Sequence, residues 1–368
     1  MAVGFLPALG GGIRALAETG QLSRLVDGYM RPYADAFGEI VYFSYLPESL
    51  EDFSNDRTLL DRVSVLAPPR PAPRGRRAVT MAGAHAAAFR RCRALRVFQI
   101  TGVIPALLAR ARFGVPYVTT YGFWYAELSV PGPKRLLKSV VERLGLRHAA
   151  AVIATTEELR SRAARLAPRV ELIPNGVDTR LFVPAPRAAR SEGPRILYVG
   201  RLSAEKNLSA VLAAGTYLEP GVIFRLVGAG PLQQALEAQA RLLGVRVEFR
   251  GVVDQAKLPA EYAASDVFVL ASFTEGHPKV LLEAMACGLP CVASDCEGNR
   301  SLVTHGETGL LFDPHDPRQL ADRLRQVLLD SDLARRLGQA GRTLVAERYD
   351  LPALVQREIV LVRDVAGR

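Results

Sequence analysis

Two glutamates, Glu275 and Glu283, stand eight residues apart between Ser272 and Pro290. Glu275 follows an apolar run that predicts a buried strand, and Glu283 lies on the helix predicted next. Both carboxylates could point towards a ligand at the helix N-terminus, where unpaired N–H groups and the macrodipole favour phosphate. Carboxylates also accept hydrogen bonds from sugar and ribose hydroxyls. The alternative is that Glu275 caps the helix and Glu283 is solvated surface.

The elements that must position these residues alternate between strand and helix along the whole chain. In the first half, strands are predicted over 3–9, 39–45, 62–67, 95–100, 115–120, 150–154 and 170–173, and helices over 104–113, 134–146 and 157–166. In the second half, strands are predicted over 195–199, 223–227, 246–250, 267–270 and 291–293, and helices over 208–217, 232–243, 279–287, 317–329, 333–347 and 351–365. This alternation predicts an α/β protein with two Rossmann-like halves, whose ligands gather at the carboxyl ends of parallel strands.

Proline and Asn-Gly signals between residues 174 and 194 predict the domain boundary. We expect an N-terminal Rossmann-like acceptor domain over 1–176 and a C-terminal Rossmann-like donor domain over 177–350. Residues 351–368 are expected to form a C-terminal helix that returns to the N-terminal domain.

Charge is distributed unevenly along the chain of 368 residues. Hydrophobic residues make up 49% of it, as is typical of a globular protein. Residues 1–180 hold 25 basic and 15 acidic residues, which accounts for the whole net charge of +10. Residues 62–147 hold 16 basic residues against two acidic ones. Such an excess favours binding to a phospholipid surface, a lipid phosphate or a phosphorylated acceptor. Binding to nucleic acid, or a general richness in arginine, would give a similar pattern.

Several features argue against other classes of protein. The apolar start of the chain lacks a basic n-region and predicts a first strand rather than a signal peptide, so a cytoplasmic protein is expected. The four cysteines form no C-x-x-C pair and are interpreted as buried thiols. The D-x-D triplet Asp330-Ser-Asp332 joins two predicted helices and is interpreted as capping, so no metal and no cofactor is expected.

The glutamate pair lies within a longer pattern that reads Glu-Gly-x-Pro, Glu-Ala-Met-Ala and Gly-x-Pro. This pattern resembles the E-x7-E signature of the retaining glycosyltransferases with a GT-B fold, of the family 4 type. The resemblance implies two domains that face each other across a cleft, and it implies that Glu275 holds the donor sugar and Glu283 the ribose. Gly276, His277 and Pro278 would also line the donor site.

The segment Tyr198 to Asn207, with its Gly-Arg-Leu and Glu-Lys pairs, resembles the same family's donor-phosphate site. The resemblance implies that Arg201 and Lys206 bind the diphosphate and, with Glu275, form the catalytic set. A departing nucleoside diphosphate accumulates negative charge, which two fixed cations stabilise. The resemblance adds further donor-binding positions, namely Gly200, Gly228, Gly230, Val252 and the glycine-rich loop Gly10, Gly11 and Gly12, for which a plain turn is the alternative.

The first half departs from the family pattern at its histidines. Gln99-Ile-Thr101 and Thr119-Thr-Tyr-Gly122 stand where the family often has His-x-His and Thr-x-His-Gly, and Ser301 replaces a common glutamate. The acceptor candidates are therefore Gln99, Tyr121, Phe123 and Trp124.

Two basic segments accompany these candidates. The helix predicted over 134–144 carries an apolar stripe of Leu136, Leu137, Val140, Val141 and Leu144, which either docks on an anionic membrane or packs on its own sheet. Residues 70–77 are interpreted as a mobile basic loop.

Together these observations predict a retaining glycosyltransferase that moves a sugar from a UDP- or GDP-type donor. The acceptor would be a glycan, a lipid-linked molecule or a small molecule in cell-envelope polysaccharide or glycoconjugate biosynthesis, with peripheral contact at the inner face of an anionic membrane and no nucleic-acid partner. The alternatives are a nucleotide-sugar epimerase or phosphorylase of the same architecture, and an inactive scaffold.

Overall fold

The computed structural model describes residues 1–68, 72–123, 132–186 and 193–367. The chain divides into two compact units, the first formed by Met1–Pro174 with Pro352–Arg368 and the second by Asn175–Leu351. Trp124 and the prolines between 69 and 71 lie outside the described residues.

The first unit contains a seven-stranded parallel sheet in the order β3-β2-β1-β4-β5-β6-β7. Its strands are β1 (Ala2–Leu6), β2 (Glu39–Phe43), β3 (Val63–Leu66), β4 (Cys92–Val97), β5 (Tyr117–Tyr121), β6 (Ala151–Ala154) and β7 (Val170–Leu172). Its helices are α1 (Ile13–Glu18), α2 (Leu22–Leu25), α3 (Arg31–Phe37), α4 (Arg57–Leu60), α5 (Arg74–Ala84), α6 (Ala86–Arg91), α7 (Val103–Phe113), α8 (Pro133–Arg147) and α9 (Glu157–Ala163).

The second unit contains a six-stranded parallel sheet in the order β10-β9-β8-β11-β12-β13. Its strands are β8 (Arg195–Val199), β9 (Ile223–Val227), β10 (Arg246–Gly251), β11 (Val267–Leu270), β12 (Cys291–Ser294) and β13 (Leu310–Phe312). Its helices are α10 (Leu208–Gly215), α11 (Gln233–Leu243), α12 (Leu258–Ala263), α13 (Lys279–Ala286), α14 (Glu297–Arg300), α15 (Pro317–Leu329) and α16 (Ser331–Arg348). The last helix, α17 (Leu351–Ala366), belongs to the first unit from Pro352 onwards.

Each sheet has a point where the strand order reverses, between β1 and β4 and between β8 and β11. The strands on both sides are buried runs of apolar residues, as expected of parallel sheets covered by helices on two faces. Loops that leave neighbouring strands at such a point diverge to opposite faces and leave a crevice for a ligand. The fold therefore predicts one ligand crevice at the carboxyl edge of each sheet.

Local sequence explains where several helices begin and end. Asp316 accepts hydrogen bonds from the backbone N–H groups of Arg318 and Gln319 at the start of α15, with Pro317 in the first turn. Asp330 caps α16 in the same way through Asp332 and Leu333, so the interpretation of the D-x-D triplet as capping is confirmed. Gly114 and Gly244 end α7 and α11 in the left-handed conformation that glycine adopts without strain.

The last helix packs on the first unit through a buried ion pair. Arg96 of β4 donates from Nε and Nη2 to Glu358 Oε2 of α17 at 2.9 and 2.6 Å, and from Nη1 to the carbonyl of Val97 at 2.7 Å. The side chains of Arg96 and Glu358 are 2% and 7% exposed, so the two charges compensate each other inside the core.

One sequence interpretation is wrong. A mobile loop was expected over residues 70–77, of which 70 and 71 lie outside the described residues; within the described part, α5 begins at Arg74 and packs on α7. Ala78, Met81 and Ala82 form its buried face, and this spacing of small and apolar residues outweighs the loop-like composition of the preceding prolines.

Candidate functional site

The predicted donor residues of the second unit lie at the carboxyl edge of its sheet, at the point where the strand order reverses. Gly200 and Arg201 follow β8, and the segment from Ser272 to Pro278 follows the neighbouring strand β11. The two loops are joined directly, because the backbone N–H of Phe273 donates to the carbonyl of Glu205 at 3.0 Å. Segments far apart in sequence therefore form one surface.

Lys206 and Glu275 form an ion pair at the centre of this surface. Lys206 Nζ lies 2.6 Å from Glu275 Oε1, and the two side chains are 20% and 12% exposed. The Ser272 hydroxyl donates to the same Oε1 at 2.6 Å, so both bonds fall on one oxygen of the carboxylate. The structure thus brings together one predicted cation and one predicted acid.

Arg201 lies in the same loop after β8 as Lys206, and its side chain is 71% exposed. Its Nη2 atom is 3.0 Å from Glu205 Oε1, which also accepts from the Ser203 hydroxyl at 2.7 Å. Burial alone would raise the pKa of Glu205, but the Ser203 hydrogen bond and the charges of Arg201 and Lys206 outweigh it and lower this pKa. The carboxylate therefore stays ionised and holds the guanidinium near the loop.

Glu283 lies inside the second unit, in the second turn of α13. It is 1% exposed; its Oε1 accepts from Gln255 Nε2 at 3.2 Å and its Oε2 accepts from the Tyr262 hydroxyl at 3.0 Å. Burial and the charge of Glu283 raise the pKa of Tyr262 well above its usual value, so the hydroxyl keeps its proton and donates. The alternative of a solvated surface glutamate is wrong.

Gln255 connects Glu283 to the loop after β10, where Val252 was predicted to line the donor site. Val252 is an exposed apolar side chain directly after Gly251. The structure places Glu283 with this loop rather than in the ion pair of Lys206 and Glu275. The predicted acids therefore occupy two separate positions around the same sheet edge.

The capping alternative for Glu275 also fails. Helix α13 begins after Pro278, and no side chain caps it. His277 is buried against Tyr349, with ring centroids 5.3 Å apart, and its carbonyl accepts from Asn175 Nδ2 at 2.8 Å. Burial lowers the pKa of His277 to about 4, so the ring is neutral near pH 7.

The glycines after β8 and β9 allow these two loops to touch. A Cβ at Gly228 would lie 1.9 Å from the carbonyl oxygen of Gly200, and one at Gly230 would lie 2.3 Å from that of Leu202. Since real side chains cannot approach a backbone atom so closely, both positions require glycine. Their place in the donor site stays a prediction.

A polar network that was not predicted from the sequence lies beneath the Ser272–Pro278 loop. Asn299 donates from Nδ2 to the carbonyl and hydroxyl of Ser294 at 2.9 and 3.0 Å, and the Ser294 hydroxyl donates to the carbonyl of Ser272 at 2.6 Å. Asn299 and Ser294 are fully buried. The signal available in the sequence was the segment Glu297-Gly-Asn299, which begins the short helix α14 after β12.

In the first unit, Gly10, Gly11 and Gly12 follow β1 as predicted, but a carboxylate already occupies the helix start behind them. Glu48 is buried and accepts from the backbone N–H groups of Ile13 and Arg14 at 2.7 and 2.8 Å. Glu48 was not among the predicted site residues, because no local pattern indicates a contact across 35 residues. Its charge stabilises the positive end of α1.

The acceptor candidates lie in different surroundings. Gln99 follows β4 and is exposed, whereas Phe123 is half-buried. Tyr121 is buried at the end of β5, and its hydroxyl donates to Glu142 Oε1 at 2.9 Å, so it is directed into the unit rather than towards solvent. Trp124 lies outside the described residues.

Within residues 1–68, 72–123, 132–186 and 193–367, no group of three His, Cys, Asp or Glu side chains is arranged to hold a metal ion. Over the same ranges, no helix is both long and apolar enough to cross a bilayer.

Two family models match the chain. One, described as "Glycosyl transferases group 1", matches residues 182–344, and the other, described as "Glycosyl transferase 4-like domain", matches residues 38–176. The alpha-maltose-1-phosphate synthase of Mycolicibacterium smegmatis is 30% identical over 299 residues, which cover 71% of this chain and 76% of that protein.

Solved structures share the architecture. Sucrose-phosphate synthase from Thermosynechococcus elongatus superposes with a TM-score of 0.82 at 24% identity, covering 100% of this chain and 99% of the other. Anabaena HepE in complex with UDP and glucose gives a TM-score of 0.78 at 21% identity, covering 99% of this chain and 100% of the other.

Proposed function

The chain belongs to the group 1 glycosyltransferases with a GT-B fold, and we propose that it transfers a sugar, with retention of configuration, from a nucleotide-diphosphate sugar to a glycan, lipid-linked or small-molecule acceptor. It is a glycosyltransferase by its family. The observation that carries the finer proposal is the Lys206–Glu275 ion pair at the strand-order reversal of the second sheet, with exposed Arg201 in the same loop as Lys206.

The proposed donor is a UDP- or GDP-sugar. The complex of HepE with UDP and glucose supports a nucleotide donor for this architecture. Arg201 can grip a phosphate with two parallel N–H groups, while Lys206 supplies a point charge. The exposed Val252 loop would receive the base, and Glu283 the ribose after a rearrangement of its bonds to Gln255 and Tyr262.

The proposed chemistry is substitution on one face of the sugar. The acceptor hydroxyl attacks from the side on which the diphosphate leaves, the bond between the anomeric carbon and the phosphate oxygen breaks, and a leaving-group oxygen takes the proton. Arg201 and Lys206 stabilise the charge that develops on the diphosphate. Glu275 orients the sugar hydroxyls with Oε2, since Lys206 and Ser272 bind Oε1. These cations would supply the positive charge without a metal ion or cofactor.

The first unit is proposed to receive the acceptor. Its basic excess between residues 62 and 147 favours an acceptor with negative charge or one presented at an anionic membrane. This would place the enzyme in the cytoplasm at the inner face of the membrane, in the synthesis of a cell-envelope polysaccharide or glycoconjugate.

Nucleotide release from UDP-, GDP- and ADP-sugars, with and without acceptor extract, tests this function. We expect release to depend on the acceptor and the product to keep the anomeric configuration of the donor. Glu275→Ala should lower turnover by a factor of about 100 to 1000, as for loss of one transition-state contact, whereas exposed Glu307→Ala should not. Sugar release that needs inorganic phosphate, or epimerised donor without nucleotide release, would favour the phosphorylase or epimerase alternative instead.

A further inference from the structure

Helix α8 presents its apolar stripe to solvent and its acidic side chain to the protein. Glu142 is 7% exposed and Leu146 is 2% exposed, which defines the inner face. Glu142 accepts from the Tyr121 hydroxyl, and the carbonyl of Gly145 accepts from the Tyr117 hydroxyl at 2.7 Å. The two tyrosine hydroxyls of β5 thus fix which side of α8 faces the sheet.

The outer face of α8 carries four large apolar side chains. Leu136, Leu137, Val140 and Leu144 are 68, 65, 45 and 44% exposed. At 100° per residue they fall within one stripe, because positions three and four apart share a helix face. A contiguous apolar stripe left in water marks a surface that binds something. The predicted alternative, a helix that packs on its own sheet, holds for the inner face and for Val141 of the stripe, but it does not account for these four exposed side chains.

The charges around the stripe have one sign. Residues 133–147 contain five basic residues, and their single acidic residue, Glu142, is the buried one. Arg143 and Arg147 are exposed next to the apolar side chains. The wider segment 62–147 is basic as well, with 16 basic and two acidic residues. A positive surface of this kind is complementary to a dense layer of phosphate groups.

We propose that the outer face of α8 is a membrane-docking surface that lies in the headgroup region of an anionic bilayer. The four apolar side chains insert at the boundary of the acyl chains, while Arg143 and Arg147 extend to lipid phosphates. With 15 residues the helix is about 22 Å long, so it lies in the interface rather than across the bilayer. This inference extends the proposed acceptor side of the enzyme, and it is tested without any sugar transfer.

Flotation with phosphatidylcholine vesicles, with and without phosphatidylglycerol, tests the surface. The wild type should float with the anionic vesicles and stay behind with the neutral ones. The double change Leu136→Ser and Leu137→Ser should lower the partition coefficient at least about tenfold, since both side chains are exposed and their loss leaves the fold intact. Leu242→Ser, at an 87% exposed leucine on α11, is the matched control and should float like the wild type.

The outcomes separate this surface from other occupants. Flotation that needs phosphatidylglycerol but is insensitive to the Leu136 and Leu137 changes would overturn the assignment of α8, as would no flotation at all. If sedimentation shows that the wild type self-associates and that the two changes abolish this association, a second copy covers the stripe and the membrane proposal is wrong. Acceptor-dependent nucleotide release is also measured in the double variant. If this release persists, the transferase proposal stands even where the membrane proposal fails.

Discussion

Lys206 and Glu275 meet at 2.6 Å although 69 residues separate them in sequence. They follow β8 and β11, the neighbouring strands at which the second sheet reverses its order. The two side chains are mostly but not fully buried, so their charges are held in place and stay accessible to a ligand.

Glu283 should contribute to stability as well as to donor binding. Glu283→Ala removes the acceptor of the Gln255 and Tyr262 donors inside the core, so the free energy of unfolding should fall by about 2 to 4 kcal/mol. Urea denaturation measures this value. Glu307→Ala, at an exposed carboxylate, should change it by less than about 0.5 kcal/mol. Equal, small effects of the two changes would mean that the buried hydrogen bonds contribute nothing.

Removing one member of the buried Arg96–Glu358 pair should loosen α17. Glu358→Ala leaves the Arg96 guanidinium buried without its carboxylate, which should cost about 3 to 5 kcal/mol in the free energy of unfolding. Asp364→Ala is the control, because Asp364 pairs with Arg169 at 3.4 Å with its side chain half exposed, and such pairs contribute about 0 to 1 kcal/mol. Similar losses for both variants would argue against a special role for the buried pair.

Much of the fold could be predicted from sequence because apolar runs and helical spacing are local signals. The structure has β8, β9 and β11 with the predicted bounds, and it has all seven strands of the first sheet within a few residues of their predicted places. The three-residue strand β13 was missed, although the equally short β7 was predicted. The short helices α1 and α4 were missed because so few residues show no helical spacing.

The site could be predicted only in part, because residue type and spacing do not specify long-range partners. The order of β8 and β11 brings Lys206 to Glu275, as the motifs suggested. The burial of Glu283 depends on Gln255 and Tyr262, which lie on other elements. The contact of Glu48 with the start of α1 likewise joins segments that no local pattern connects.

Neutral His277 should make stability depend on pH. Burial lowers its pKa in the folded state to about 4, from an ordinary value of 6.5. As the pH falls, the unfolded chain therefore binds a proton at His277 before the folded chain does. The contribution of neutral His277 to the free energy of unfolding is complete above about pH 6.5, and it should fall by on the order of 3 kcal/mol as the pH drops to 4. Urea denaturation across this range should show a smaller loss for His277→Gln than for the wild type or for exposed His148→Gln. Parallel profiles for all three proteins would exclude this role.

Removal of divalent metal ions should leave transfer unchanged. Arg201 and Lys206 are proposed to stabilise the leaving diphosphate, so turnover in excess EDTA should match turnover with added Mg²⁺ within about twofold. Nucleotide release from the preferred donor measures it. A loss of turnover that Mg²⁺ or Mn²⁺ restores would show that a metal ion supplies the charge instead.

The most direct measurement is the affinity for nucleoside diphosphates, by calorimetric titration of UDP, GDP and ADP and of the corresponding nucleosides. For the diphosphate that binds, the double variant Arg201→Ala and Lys206→Ala should lose at least about 100-fold in affinity, because two charge-assisted phosphate contacts are removed. Its affinity for the nucleoside should stay the same, and exposed Arg241→Ala should behave like the wild type. Unchanged diphosphate affinity in the double variant would contradict the assignment of Arg201 and Lys206 as the donor-phosphate site.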